Sequence, residues 1–296
     1  MAAAVPRVFL THELDPSILD GIAVLLDKLD PPRRARKVSN RAVLEVAFLV
    51  LSQGVSWERM TVEGVSASTP QKRFRRWCRD GVLLEAWRSV VQEYVREGIA
   101  RAPDTFQTVY IDASFEKNLL GVDCLGKNPT DRGRLATKLS LVCDDFGVPL
   151  AFSLHPGNQS DVTTVETTLE SLPCLITKDG RYSTVLVGDK GYVSKDLCLR
   201  LRRRHIRLLT PAKNYKHKVR PWMCKGDRER LRHRHKVENM FCRLDKFKRL
   251  LNRSDRLIST FAGFHLLGMI VITVQKLSVC EGLTGNTGPP QHGACP

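Results

Sequence analysis

Three carboxylates occupy places where the chain can do chemistry. Asp189 sits between Gly188 and Gly191, directly after Val185-Leu186-Val187. That short apolar, β-branched run reads as a strand buried on both faces. Sites in open α/β sheets form just outside the carboxyl ends of such strands. The flanking glycines let backbone or ligand come close, so Asp189 is a candidate metal ligand. The plainer role is a helix cap, but Ser194 and Asp196 lie nearer the helix expected over 197–204 and suit that better. Asp112 follows a second apolar strand, 108–111. Glu238 lies at the edge of the apolar stripe of a helix expected over 228–251, in which Val237, Met240, Phe241, Leu244, Phe247 and Leu251 recur at helical spacing. Arg234 lies one turn before it. Carboxylates without Cys or His beside them suit a hard, oxygen-preferring cation, Mg²⁺ or Mn²⁺.

The elements that must position these acids follow in order. After the strand carrying Asp112, residues 121–131 are rich in Gly and Asn and read as a mobile loop. Strands 139–143 and 148–154 form a hairpin around Asp144-Asp145-Phe146-Gly147. The loop 155–161 leads into a Thr-rich helix, 162–172. Then come the strand before Asp189, a helix over 195–205, a strand over 206–210, the helix with Glu238, and an apolar helix over 259–277 that closes the core. An acid ending the first strand, another ending the fourth and a third on a late helix is the order of a ribonuclease-H-like α/β fold, a mixed sheet flanked by helices. Its first and fourth strands are neighbours, so Asp112 and Asp189 would share ligands.

Upstream of residue 103 the pattern is all helical, with helices at 16–29, 41–51 and 83–96 and a fourth between Thr69-Pro70 and Gly81. Thr69 reads as its N-cap, Pro70 as N1 and Gly81 as C′. Phe74, Trp77 and Cys78 would face the core, and Lys72, Arg73, Arg75, Arg76 and Arg79 would cover the rest. Such a run is either a solvated face or a surface laid against DNA in helix-turn-helix fashion; the lack of any acid before Asp80 favours DNA. The expected organisation is a helical domain, 1–103, a catalytic domain, 104–277, and a disordered tail, 278–296.

The chain has 296 residues, with 47 Lys plus Arg against 31 Asp plus Glu, a net charge of +16. That excess points to a polyanion, nucleic acid before a membrane surface. Between Cys198 and Met223 no acid occurs, while Arg200, Arg203, Lys213 and Lys216 stand among many cations. Another basic patch, Arg33, Arg34, Arg36 and Lys37, follows Pro31-Pro32. The most apolar segment, 264–274, looks too short to span a bilayer, and no signal peptide is visible. Nine scattered cysteines lack zinc spacing; they read as small buried hydrophobes in a reducing, intracellular setting, the cytoplasm in a bacterium.

Read together, the motifs resemble the DDE transposases of bacterial insertion sequences, specifically the insertion-sequence-five family, over roughly residues 36–277. The helical part matches through Arg41-Ala42-Val43-Leu44, Gly54-Val55-Ser56-Trp57 and Phe74-Arg75-Arg76-Trp77. The acidic motifs are Ile111-Asp112-Ala113-Ser114, Gly188-Asp189-Lys190-Gly191-Tyr192 and Arg234-His235-Lys236-Val237-Glu238-Asn239-Met240-Phe241. Between them lie Thr137-Lys138-Leu139-Ser140-Leu141 and Gly157-Asn158-Gln159-Ser160-Asp161. Two positions depart from the family's third motif: Leu231 stands where a Tyr is usual and Asp245 where a Lys is usual.

The resemblance implies cleavage of double-stranded DNA at the element's ends and joining of the 3′ ends to target DNA. It also implies two Mg²⁺ or Mn²⁺ ions held by Asp112, Asp189 and Glu238 for an in-line displacement. Water would be the first nucleophile and the freed 3′-hydroxyl the second. Arg234, Lys138, Lys213 and Lys246 are candidate phosphate contacts. Asp161 either orients the site from behind or caps the helix after it. A dimer assembled on DNA is expected, and no membrane partner. The rival readings are a nuclease that only cuts and a non-catalytic DNA-binding protein.

Overall fold

Apolar spacing and end signals set the helices first. In the computed structural model, which describes residues 14–31, 38–60, 68–101, 106–172, 184–211 and 223–284, α1 (Pro16–Leu29) starts at Asp15, whose carboxylate accepts the Ser17 N–H. Helix α2 (Asn40–Gln53) starts at Ser39 and stops at Gly54, where φ is +69°, the left-handed conformation that glycine adopts at no steric cost. Helices α3 (Ser68–Arg79) and α4 (Val82–Arg101) are separated by Gly81, at φ +76°.

The strands follow: β1 (Thr108–Lys117), β2 (Gly126–Lys127), β3 (Leu135–Cys143), β4 (Pro149–Pro156), β5 (Thr184–Val187) and β6 (Ile206–Leu209). Strands β1, β3 and β4 form an antiparallel meander; β5 and β6 run parallel to β1, on its other side. The resulting order, β4-β3-β1-β5-β6 with the short β2 on the start of β3, is the ribonuclease-H-like arrangement. Helices α5 (Asp161–Glu170) and α6 (Lys195–Arg203) make the crossovers; α7 (Lys225–Arg232), α8 (His235–Leu244) and α9 (Ile258–Thr284) complete the described chain.

Helix α8 lies on β1 and β3, while α9 packs on α4, α3 and α1, so the helical layer closes on an element from the far end of the chain. Trp57, Phe74 and Phe264 stack there, with ring centroids 4.6–5.9 Å apart, each pair worth about 0.5–1.5 kcal/mol beyond burial. Helix α9 is long and apolar enough to cross a membrane by length and composition, which corrects the expectation from residues 264–274. Within this fold 72% of its apolar window is buried, as a core helix would be.

The expected helix over 228–251 is broken. Helix α7 has no fully buried side chain, packs only Leu231 partly on the core and is tied to its neighbours by Asp227 to Arg207 and by Arg230 to Thr108, whereas α8 buries Val237, Met240 and Leu244. The two helices are separated by a turn at His233-Arg234. After Leu244 the chain leaves the helix because the Lys248 and Arg249 N–H groups donate to Ser52 and Leu51 carbonyls at the end of α2.

The cysteine expectation also changes. Of the six described as free, Cys143 is buried, Cys242 exposed and the others intermediate. Cys224 accepts the Asp227 N–H and caps α7.

Candidate active site

Strands β1 and β5 bring the two aspartates together. Their parallel register ends at Tyr110 opposite Val187, each aspartate lies two residues further on, and Asp189 is near enough for its charge to act on the Asp112 carboxyl. Asp112 does not end its strand as expected: β1 continues to Lys117, with Asp112 opposite Leu141 of β3. The meander therefore outruns β5 and β6, and Asp112 sits where a two-sided strand becomes one-sided.

Asp189 leaves β5 at a point where side chains would collide. A Cβ on Gly188 would lie 2.9 Å from the Tyr192 ring and 3.3 Å from Ile111. A Cβ on Gly191 would lie 2.9 Å from Asp189 Oδ1 and 3.6 Å from Asp161 Oδ2. Asp189 Oδ1 accepts the Gly191 N–H at 2.7 Å and caps one 3₁₀ turn, Lys190–Tyr192. Ser194 caps α6.

Glu238 reaches this edge through Arg234. Placed at the break between α7 and α8, Arg234 donates from Nη1 to Asp112 Oδ2 at 2.9 Å and from Nη2 to Glu238 Oε1. Its guanidinium lies between the first and third acids. Among the described residues no group of three acids, histidines or cysteines is close enough to hold a metal ion. What the fold assembles is the adjacent pair Asp112 and Asp189, with Glu238 joined to it by an arginine. Burial pushes the Asp112 carboxyl above its ordinary range and Asp189 adds to this; the Ala113 N–H and Arg234 oppose it.

Beside the pair, Lys138, one of the expected DNA contacts, forms an ion pair with the half-buried Asp161. Lys138, on β3, is buried; its Nζ donates to Asp161 Oδ1 at 2.6 Å and to the Gln159 carbonyl at 2.5 Å, and lies 4.9 Å from the Phe115 ring centroid. It is engaged within the protein. Asp161 is the first residue of α5, whose N-cap is Ser160, so its carboxylate is turned to Lys138 rather than capping the helix. Nothing in the sequence signalled the neighbouring Tyr192 hydroxyl, a fully buried group with no hydrogen-bond partner among the described residues.

The basic helix divides in two. Arg73 donates to the Val38 carbonyl and Asn40 Oδ1, and Arg76 pairs with Asp30, which also accepts from Trp77 Nε1 at 2.8 Å. These two arginines join helices of the protein, against the expectation that all five cations face outward. Lys72, Arg75 and Arg79 share one exposed face, at i, i+3 and i+7; Arg79 also pairs with Asp80. Arg203 and Lys246 are exposed as well. Lys213, Lys216 and the patch Arg33–Lys37 lie outside the described residues.

A family model described as "Transposase DDE domain" matches residues 104–273, more than half of the chain. The chain belongs to this transposase family. It is also 27% identical over 187 residues, 62% of its length and 84% of the relative's, to a Burkholderia cepacia protein named "Putative transposase for insertion sequence element IS402". Among solved structures it resembles a piggyBac transposase synaptic complex with hairpin DNA, at 10% identity and TM-score 0.45, covering 91% of this chain and 77% of that one. It also resembles a Mos1 strand transfer complex, at 12% identity and TM-score 0.26, covering 74% and 82%. At these scores the likeness adds nothing to the topology described above. In the transposase Asp112 lies within β1, Asp189 follows β5 and Glu238 lies on α8.

Proposed function

We propose that this insertion-sequence transposase cuts phosphodiester bonds at the ends of its element and joins the freed 3′ ends to target DNA. Asp112, Asp189 and Glu238 act as one centre in this reading, and the motifs fit the insertion-sequence-five branch. The observation that carries it is the parallel register of β1 and β5, which sets Asp112 and Asp189 side by side, with Arg234 tying Glu238 to them.

The donor set fits a divalent cation. It offers carboxylate oxygens only, and the field of Asp189 that raises Asp112 is relieved by positive charge. Asp112, Asp189 and Glu238 would hold Mg²⁺ or Mn²⁺, with room in the donor count for two ions. When bound, such ions make the attacking oxygen more nucleophilic and stabilise the leaving one.

The chain's own residues do the rest. Arg234 orients Asp112 and Glu238 and is placed to meet a phosphate oxygen. Lys138 holds Asp161 behind Asp189, an orienting contact of the kind that tunes ligand placement. Lys72, Arg75 and Arg79 on α3, with Arg203 and Lys246, contact the DNA backbone, and the helical region 1–103 recognises the ends ahead of the catalytic region 104–277. Two ends must be held together, so the active assembly is a homodimer on DNA inside the cell. The test is Mg²⁺-dependent cleavage of the short inverted repeats flanking the gene: the wild-type protein nicks them, and Glu238→Ala binds without nicking. Equal nicking by both proteins refutes the assignment.

A further inference from the structure

The segment joining β1 to β2 is braced, not mobile as its Gly and Asn content suggested. Leu119 and Leu120 N–H groups donate to the Arg253 carbonyl at 3.0 and 3.2 Å, and the Val122 N–H to the Arg256 carbonyl at 3.0 Å. Arg253 has no exposed surface; it pairs with the Asp123 carboxylate and donates to the Asp123 carbonyl at 2.6 Å and Thr137 Oγ1 at 2.7 Å. Asp123 in turn accepts the Ile258 N–H at the start of α9. On this fixed backbone Leu119, Leu120 and Val122 are 58%, 65% and 58% exposed. A loose loop can turn such side chains inward; a braced one holds them out. Contiguous apolar groups held in water mark a contact surface.

The surroundings indicate what covers it. Lys117, Lys127, Arg132, Arg134 and Arg256 are all exposed on the adjoining strand ends, the turn before β3 and the segment before α9. The nearby acids are engaged, Asp123 by Arg253 and Asp131 by Arg134 at 3.9 Å. A second copy would bring a net +16 against the same charge, whereas nucleic acid supplies both the anions and the apolar base faces. Position agrees: from Asp112 to the end of β1 at Lys117 the strand rises about 17 Å toward the loop, the length of about five base pairs. Aliphatic side chains presented among cations are the type that enters between base steps.

We propose that Leu119, Leu120 and Val122 form a wedge that packs into the element-end DNA about five base pairs from the bond cut at Asp112 and Asp189. The proposal rests on the reading of the chain as an end-cutting transposase. The experiment uses the full-length protein and inverted-repeat duplexes carrying 2-aminopurine at successive positions inward from the cut, with fluorescence and cleavage scored on the same duplexes. The wild-type protein is expected to raise emission near the fifth position. Leu119→Ser with Leu120→Ser, both exposed, is expected to keep the melting temperature and lose that rise. Cleavage without any rise overturns the wedge alone, and a rise without cleavage supports the wedge and counts against the cutting reading. A rise that survives the double substitution overturns it, as does a variant whose defect is a lost dimer in sedimentation.

Discussion

Arg234 donates to Asp112 across 2.9 Å although 122 residues separate them. Its other nitrogen meets Glu238, so one guanidinium orients both outer members of the acidic set. Arg234→Ala is expected to raise the Mg²⁺ concentration for half-maximal cleavage by about 10–100-fold, as for lost supports of metal ligands. Arg234→Lys recovers only part of this, because a point charge cannot make two directed contacts. A metal titration of cleavage checks it; an unchanged midpoint in Arg234→Ala contradicts the role.

The exposed and inward cations of α3 are expected to separate in experiment. Replacing Lys72, Arg75 and Arg79 together by Ala leaves the melting temperature in place and flattens the dependence of log binding constant on log salt by about 3, nearly one for each phosphate contact. Arg76→Ala, which removes one of the donors to Asp30, is expected to cost about 1.5–3 kcal/mol of stability, the range for hydrogen bonds to charged groups. Fluorescence anisotropy over a salt series, beside thermal melts, distinguishes the two sets.

Glu116 shares the α8-facing side of β1 with Asp112, two pleats along, and is buried. Burial first, and then the field of Asp245, raise its carboxyl from 4.5 to about 8. A carboxyl raised on folding contributes stability that is full below about pH 4.5 and is lost as pH rises through about 8. Glu116→Gln lacks that loss. Its melting temperature relative to wild type is expected to climb from pH 4.5 to pH 8 and then level. Parallel melting curves across that range would contradict it.

Asp144 holds the hairpin turn from inside. Fully buried, it accepts the Phe146 and Val148 N–H groups, each at 2.9 Å, and the Tyr94 hydroxyl at 2.6 Å, joining α4 to the β3–β4 turn. Asp144→Ala removes the acceptor these donors share and is expected to cost about 1–3 kcal/mol, the penalty for a buried polar group that loses its acceptor. Urea unfolding measures it, and a loss below 1 kcal/mol would show that the turn stands without its acid.

Much of this was legible along the chain. The glycines around Asp189 and the apolar strand before it announced a close approach, and Ser39, Gly54 and Gly81 marked helix ends by local backbone chemistry. What escaped depended on distant partners. A charge run does not say which of its cations turn inward; Asp30, Val38 and Asn40 decide that for Arg73 and Arg76. The 121–131 segment read as mobile because its brace, Arg253, lies 130 residues downstream. No glycine or proline stands at His233-Arg234, so the turn between α7 and α8 was hidden. Lys138 read as a candidate phosphate contact because its partner, Asp161, lies 23 residues downstream.

The most direct measurement is a strand-transfer assay of Asp112→Asn, Asp189→Asn and Glu238→Gln, singly and combined. Groups that act as one centre are strongly non-additive. Each single substitution is therefore expected to lower the rate about as far as all three together, with end binding retained. Independent losses that multiply, or any single variant as active as wild type, would contradict a shared centre.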